Sequence, residues 1–201
     1  MNKRVKTHFQ YSWWAYFLIF VAVITLWVSV FVKLAEPKAD ERLNITIVGS
    51  VDGKNIAADL EKALESKTNK PLKEINVEII AGDNVQIGEI IAMRCMGETD
   101  LIIFEEEYIV KPLSLNFKPV DESRIKEYFG SSDLYKEDDK TYGVLLYDGT
   151  SQSNFKTYYK GDKKFYAFIT PVSENCAKLN GKGAEESDAA IQAIKYFTEA
   201  A

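Results

Sequence analysis

Leu43-Asn44-Ile45-Thr46-Ile47-Val48-Gly49-Ser50 alternates apolar and polar side chains and then stops at a glycine and a serine. Alternation with period two, ended by turn-forming residues, specifies a β-strand with one face toward a core. Immediately after it, Ile56, Leu60, Ala63 and Leu64 recur at helical spacing, with Asp59, Glu61, Lys62 and Glu65 on the other face. Pro71 closes that unit. Ile75 to Ile80 repeats the strand pattern and exits through Ala81-Gly82-Asp83, and Val85 to Met96 is helical again, with Ile87, Ile90, Ile91 and Met93 expected to face inward. Asp100-Leu101-Ile102-Ile103-Phe104 is a short, continuous apolar run of the kind buried on both faces. Strand, helix, strand, helix, strand with connections this short specifies an α/β fold: a three-layer sandwich with a mixed, mostly parallel sheet.

The second half is less regular. Asp121 to Phe129 reads as a short helix with Asp121 or Ser123 near its cap, and Ser131 to Lys140 as a charged loop. Tyr142 to Tyr147 and Lys164 to Thr170 are strand-like, separated by the polar turn Asp148-Gly149-Thr150-Ser151-Gln152-Ser153, which suits an antiparallel pair. Leu179 to Glu186 is a link rich in Lys, Gly and Glu, and Ser187 to Ala200 is an amphipathic helix burying Ala190, Ile191, Ile194 and Phe197.

Ahead of all this, Trp13 to Val32 is a run of twenty uncharged residues, preceded by Lys3, Arg4 and Lys6 and closed by Lys33. About twenty apolar residues let a helix cross roughly 30 Å of hydrocarbon with its backbone satisfied. Three of the first six residues are basic and none of the first 34 is acidic. Positive residues are retained on the cytoplasmic side, so the N-terminus is expected inside and the C-terminal domain outside. Tyr11, Trp13, Trp14 and Tyr16 lie where aromatic rings favour the headgroup level. The competing reading is a cleaved signal peptide, but its apolar region is shorter, and Phe31-Val32-Lys33-Leu34-Ala35 offers no clean small-x-small cleavage pair. The expected organisation is a basic tail over 1–11, a transmembrane helix over 12–34, a spacer over 35–42 containing Pro37, and an extracytoplasmic domain over 43–201.

Composition narrows the function classes. Beyond residue 34 the chain carries 21 basic against 30 acidic residues, a net charge of −9. That balance argues against nucleic acid and against anionic lipid as a surface partner. Cys95 and Cys176 have no CxxC spacing, so a thioredoxin-like role and a thiolate metal site both lack their motif. The sole histidine, His8, precedes the apolar run, which leaves the outer domain without imidazole for a catalytic triad or a metal. Gly49-Ser-Val-Asp-Gly53 lacks the spacings of a phosphate-cradling loop. Asn44-Ile-Thr46 matches a glycosylation acceptor but sits inside an expected strand.

Leu43-x-Ile-x-Ile-x-Gly49-Ser50 leading into a helix, Asp100-Leu-Ile-Ile-Phe104, Lys140-Thr-Tyr142-Gly143-Val144-Leu145 and the closing Phe165-Tyr-Ala-Phe-Ile-Thr-Pro-Val-Ser173 resemble, in order, the first lobe of bacterial extracellular solute-binding proteins of ATP-binding-cassette transporters. The resemblance implies a bacterial cell-envelope protein that binds solute or a membrane partner. In that family a second lobe lies between the hinge strand and the returning strand. Here only about 16 residues, Asp148 to Lys163, occupy that place, so the implied object is one lobe that cannot clamp. Leu145 also replaces the family's proline.

Ligands of open α/β sheets collect beyond the carboxyl ends of the parallel strands. The candidates there are Ser50, Asp52, Asp83, Glu105 and Glu107, with Thr150 added from the later polar turn. The plainer account is that Gly49 and Gly82 allow tight turns while Ser50 and Asp83 cap helices. At most Glu105 and Glu107 share a face of an extended segment as carboxylate chemistry would need, and a solvated strand exit is the plainer account, while Glu137-Asp138-Asp139 reads as a charged surface turn. No catalytic residue, cofactor or metal ligand is assigned. The reading is a membrane-anchored, non-enzymatic binding or interaction domain with a membrane-protein partner or small solute, the bilayer itself engaged through Trp13 to Val32. The alternatives are an extracytoplasmic carboxylate-dependent hydrolase, or a structural envelope component.

Overall fold

A computed structural model of the chain describes residues 3–97, 99–130, 133–176, 179 and 187–200, with side chains from residue 13 onward. Of the expected link over Leu179 to Glu186, only Leu179 lies among the described residues, and Ser131 lies outside them. The chain divides into two compact units, one ending at Glu36 and the other beginning at Pro37.

The first unit is a single helix, α1 (Lys3–Ala35), so the basic residues and the apolar run share one element. Its window Trp13–Ala35 is 23 residues long with mean hydropathy 2.5, and none of it is buried. At about 1.5 Å per residue this helix is long and apolar enough to cross a membrane. Two hydroxyls in its apolar run turn back on the helix: Thr25 Oγ1 donates to Val21 O at 2.9 Å and Ser29 Oγ to Thr25 O at 2.7 Å.

The second unit is built on one six-stranded sheet. In chain order its elements are β1 (Arg42–Val48), α2 (Ile56–Leu64), β2 (Glu74–Ile80), α3 (Ile87–Met96), β3 (Leu101–Glu105), α4 (Glu122–Phe129), β4 (Leu134–Glu137), β5 (Lys140–Tyr147), β6 (Phe165–Ile169) and α5 (Ala189–Thr198). The strand order is β2-β1-β3-β6-β5-β4. β1 pairs parallel with β2 and β3, while β3–β6, β6–β5 and β5–β4 are antiparallel. The fold is α/β with a mixed sheet, but three of its five pairings are antiparallel, so it is not mostly parallel.

The difference comes from β6, which runs antiparallel to β3, and from β4, which the charge of Ser131 to Lys140 disguises as a loop. Asp138 and Asp139 both take positive φ, 50° and 61°, which makes them the centre of a two-residue hairpin whose twist matches the flanking strands.

Alternation along the strands divides the apolar side chains between two faces. Leu43, Ile45, Ile47, Leu101, Ile103, Phe165 and Ala167 meet α2, α4 and α5 on one face. Val48, Ile102, Phe104, Tyr166 and Phe168 meet Ile91 and Cys95 of α3 and the irregular segment bearing Leu113 and Phe117 on the other. Cys95 and Cys176 are both buried, and they belong to clusters on opposite faces. Burial alone pushes the Cys95 thiol up to about 12.

The expected spacer is fastened to the sheet. Lys70 Nζ reaches Asp40 at 2.7 Å, Lys73 Nζ reaches Glu41 at 2.9 Å, and the fully buried Asn175 donates through Nδ2 to Ala39 O and Arg42 O at 3.0 and 2.7 Å. Beside it, Asp100, 4% exposed, accepts from Asn44 N at 2.9 Å and from Ser173 Oγ at 2.7 Å, and Thr170 Oγ1 donates to Thr99 O.

Candidate functional site

The carboxyl ends of β1, β2 and β3 carry the loops where ligands of such sheets are sought. Gly49 follows β1 with φ +147°, and its N–H donates to Ile80 O at 3.0 Å, tying this loop to the end of β2. A Cβ at Gly49 would stand 2.8 Å from Glu105 Oε2 and 3.1 Å from the Phe165 ring. Glycine is therefore required here by both conformation and space.

Glu105, the last residue of β3, is only 4% exposed, and its Oε2 accepts from Ser50 N at 3.2 Å. Burial raises its carboxyl above the usual range. The Ser50 N–H works against that, and the nearby Glu107 charge adds to it. The chain then turns through a single 3₁₀ turn, Glu106–Tyr108, so the segment is not extended as the sequence suggests. Glu107 is exposed and pairs with Lys163 at 3.4 Å. Tyr108 packs on Gly82 so closely that a Cβ there would fall 2.1 Å from its ring, and Glu107 and Asp83 both act to raise its phenol, after burial.

Ser50, Glu105, Glu107 and, through Tyr108, Asp83 thus come together around one loop cluster, while Asp52 and Thr150 do not join it. Asp52 N donates to Tyr158 O at 2.9 Å, and its carboxylate accepts from Lys54 N at 3.2 Å within its own turn. Thr150 is absorbed by a turn around Asp148, whose Oδ1 accepts from Thr150 N at 2.7 Å, Ser151 N at 2.6 Å and Thr150 Oγ1 at 3.2 Å.

Nor do Ser50 and Asp83 cap helices. α2 starts after Asn55 in the left-handed region and α3 after Gln86, neither with a side-chain cap. Asp121 does cap α4, accepting from Ser123 N at 2.9 Å. The sequence pattern did not single out Lys163, Tyr108 or Tyr159. Tyr159 is buried against Phe165 with ring centroids 4.7 Å apart, and after burial the Glu105 charge raises its phenol further.

Chemically, the cluster holds a buried carboxylate committed to a backbone N–H and an exposed Glu107–Lys163 pair above it. Among the described residues no group of three or more His, Cys, Asp or Glu could hold a metal ion. Three cavities flank β2, and the first of them reaches its carboxyl end, where Ala81 and Asn84 line it. One of about 520 Å³ between β2 and α3 is lined by Ile80, Ile90, Met93 and Arg94. One of about 260 Å³ is lined by Asn44, Thr46, Asn76 and Thr99, and one of about 510 Å³ by Leu64, Leu72 and Ile75. All three border β2, and none is lined by Ser50, Asp52, Glu105 or Glu107.

Comparison of the chain with protein-family models, with curated proteins and with solved structures gives no match. The resemblance to a solute-binding lobe therefore rests on its short motifs alone.

The connection from β5 to β6, where that family carries its second lobe, is packed into the core. Phe155 is fully buried between Phe165 and Phe197, at 4.8 and 5.5 Å, and Tyr158 OH donates to Asp59 at 2.8 Å.

Proposed function

We propose that this chain is a single-pass membrane protein whose folded unit lies outside the cytoplasm and acts by binding rather than catalysis, a solute-binding-type lobe without its clamp. The observation that carries this reading is the 23-residue apolar window of α1, none of which is buried. Exposed apolar surface on that scale needs hydrocarbon around it. The basic residues ahead of it favour an inside N-terminus.

Two further features support an interaction module. Glu105 is used to hold the β1 loop, which weakens it as a catalytic carboxylate, and the β5–β6 connection is spent on the core, leaving no arm to close over a solute. The partner is a membrane protein or a small solute, and the cavity of about 520 Å³ that reaches Ala81 and Asn84 is where a solute would sit. Tethering raises the local concentration of such a partner without high intrinsic affinity.

The test is expression of the full chain in a bacterial host. Membranes are washed in alkaline carbonate, and intact spheroplasts are treated with protease. Retention of the intact chain in the pellet, with digestion from outside, is the expected result. A mature protein released in solution and shortened by its first ~35 residues would instead identify α1 as a cleaved signal.

A further inference from the structure

The two edges of the sheet are built differently. β4 is four residues long, carries Lys136 and Glu137, and shifts register against β5 between Tyr135 and Lys136. Shortness, charge and a bulge are devices that keep an edge strand from recruiting another. β2, at the other edge, is seven residues long and keeps unbroken register with β1 from Glu74 to Ile80. Its outer side leaves backbone N–H and C=O groups unpaired within the sheet. One face presents the half-buried Ile75, Val77 and Ile79 and the other Glu74, Asn76 and Glu78. The polar groups on that second face are largely met within the chain: Arg94 Nη2 holds Glu78 at 2.6 Å, and Asn76 Nδ2 donates to Glu74 Oε1 and to Asn44 Oδ1, each at 3.1 Å.

We infer that β2 pairs antiparallel with β2 of a second copy of this chain, in the register centred on Val77. In that register Val77 faces Val77, Ile75 faces Ile79, Asn76 faces Glu78 and Glu74 faces Ile80. The apolar stripe of one face then runs unbroken across the junction, and no glutamate stands directly opposite another.

The alternatives are worse. A one-residue slip puts the apolar face against the polar one. Centring on Asn76 sets Glu74 against Glu78, centring on Glu78 sets it against itself, and in-register parallel pairing opposes both glutamates to themselves. Like charges directly opposite one another destabilise a ladder. The Val77 register is also the one that pairs all seven residues, and as a two-fold contact it closes on itself. The product is a continuous sheet of two copies, with the cavities beside β2 walled by the partner's strand.

The inference gives the interaction reading its partner, yet it depends only on the unit from Pro37 onward and stands if α1 proves to be a cleaved signal. The experiment uses the full chain in whichever fraction it occupies, so that loss of membrane association and loss of pairing are read separately. Under mild oxidation Val77→Cys should form a disulfide-linked dimer. Glu74→Cys should give about tenfold less, because its two copies lie about 20 Å apart in this register, beyond disulfide reach. The wild type, with Cys95 and Cys176 buried, sets the baseline. Val77→Lys, which opposes two like charges, should shift the particle in light scattering from dimer to monomer with its circular dichroism unchanged. A monomeric wild type, equal cross-linking at positions 74 and 77, a dimer that survives Val77→Lys, or cross-linking of Val77→Cys only to a different protein would each overturn it.

Discussion

Gly49 and Glu105 together decide the shape of the loop cluster. The φ of +147° and the 2.8 Å approach to Glu105 Oε2 leave no room for a side chain, so Gly49→Ala is expected to cost about 2 kcal/mol or more. The loss would be read from the urea midpoint. Glu105 makes a pH prediction with an unusual sign. Its carboxyl is raised in the folded state, by burial first, so the folded chain holds this proton more tightly than the unfolded chain does. The stability it contributes is complete below the ordinary glutamate range and is lost as pH rises through the elevated folded value. Glu105→Gln keeps an acceptor for Ser50 N and cannot ionise. The variant should therefore match or exceed the wild type at neutral pH, and the difference should vanish toward pH 4. A variant less stable at pH 7 than at pH 4, relative to wild type, would refute the assignment. Sequence alone placed Glu105 at the strand end but not its burial, which depends on Phe165 and Gly49 closing over it.

Elements whose signals are local were legible, and those whose signals are tertiary were not. β1 and β3 follow from their own side chains, as does α5 with its buried Ile191, Ile194 and Phe197. β4 does not, because Leu134-Tyr135-Lys136-Glu137 carries too little apolar character and its turn lacks glycine. What makes it a strand is β5 beside it. The two aspartates of that turn hold left-handed conformations that L-residues adopt at a cost. Asp139→Gly converts the turn to the Asp-Gly pair that this hairpin geometry favours, and it should stabilise the domain by about 0.5–1 kcal/mol. A raised thermal midpoint with unchanged circular dichroism is the expected outcome, and a lowered one would mean that the hairpin is not formed in solution.

At the scale of the whole molecule, the question is where the folded unit begins. The apolar alternation starts at Leu43, and a sequence reading places the domain boundary there, with 35–42 as a spacer. Packing moves the boundary outward, to Pro37. The reason lies far away in the chain. Asn175 is fully buried, its Oδ1 has no hydrogen-bond partner among the described residues, and its Nδ2 donates to Ala39 O and Arg42 O. No local pattern in residues 35–42 announces that demand, which is why the segment reads as a linker. A chain beginning at Pro37 keeps both acceptors and the Asp40–Lys70 and Glu41–Lys73 pairs, and should unfold in a single cooperative transition. One beginning at Leu43 removes both of these acceptors from the buried amide, a loss of about 1–3 kcal/mol. Pairing Asn175→Leu with each chain separates this cause from a general effect of shortening. If Asn175 is the reason, the substitution lowers the stability of the longer chain but recovers part of the loss in the shorter one, where the amide has already lost these acceptors. Equal denaturation midpoints for the two chains would return the boundary to Leu43.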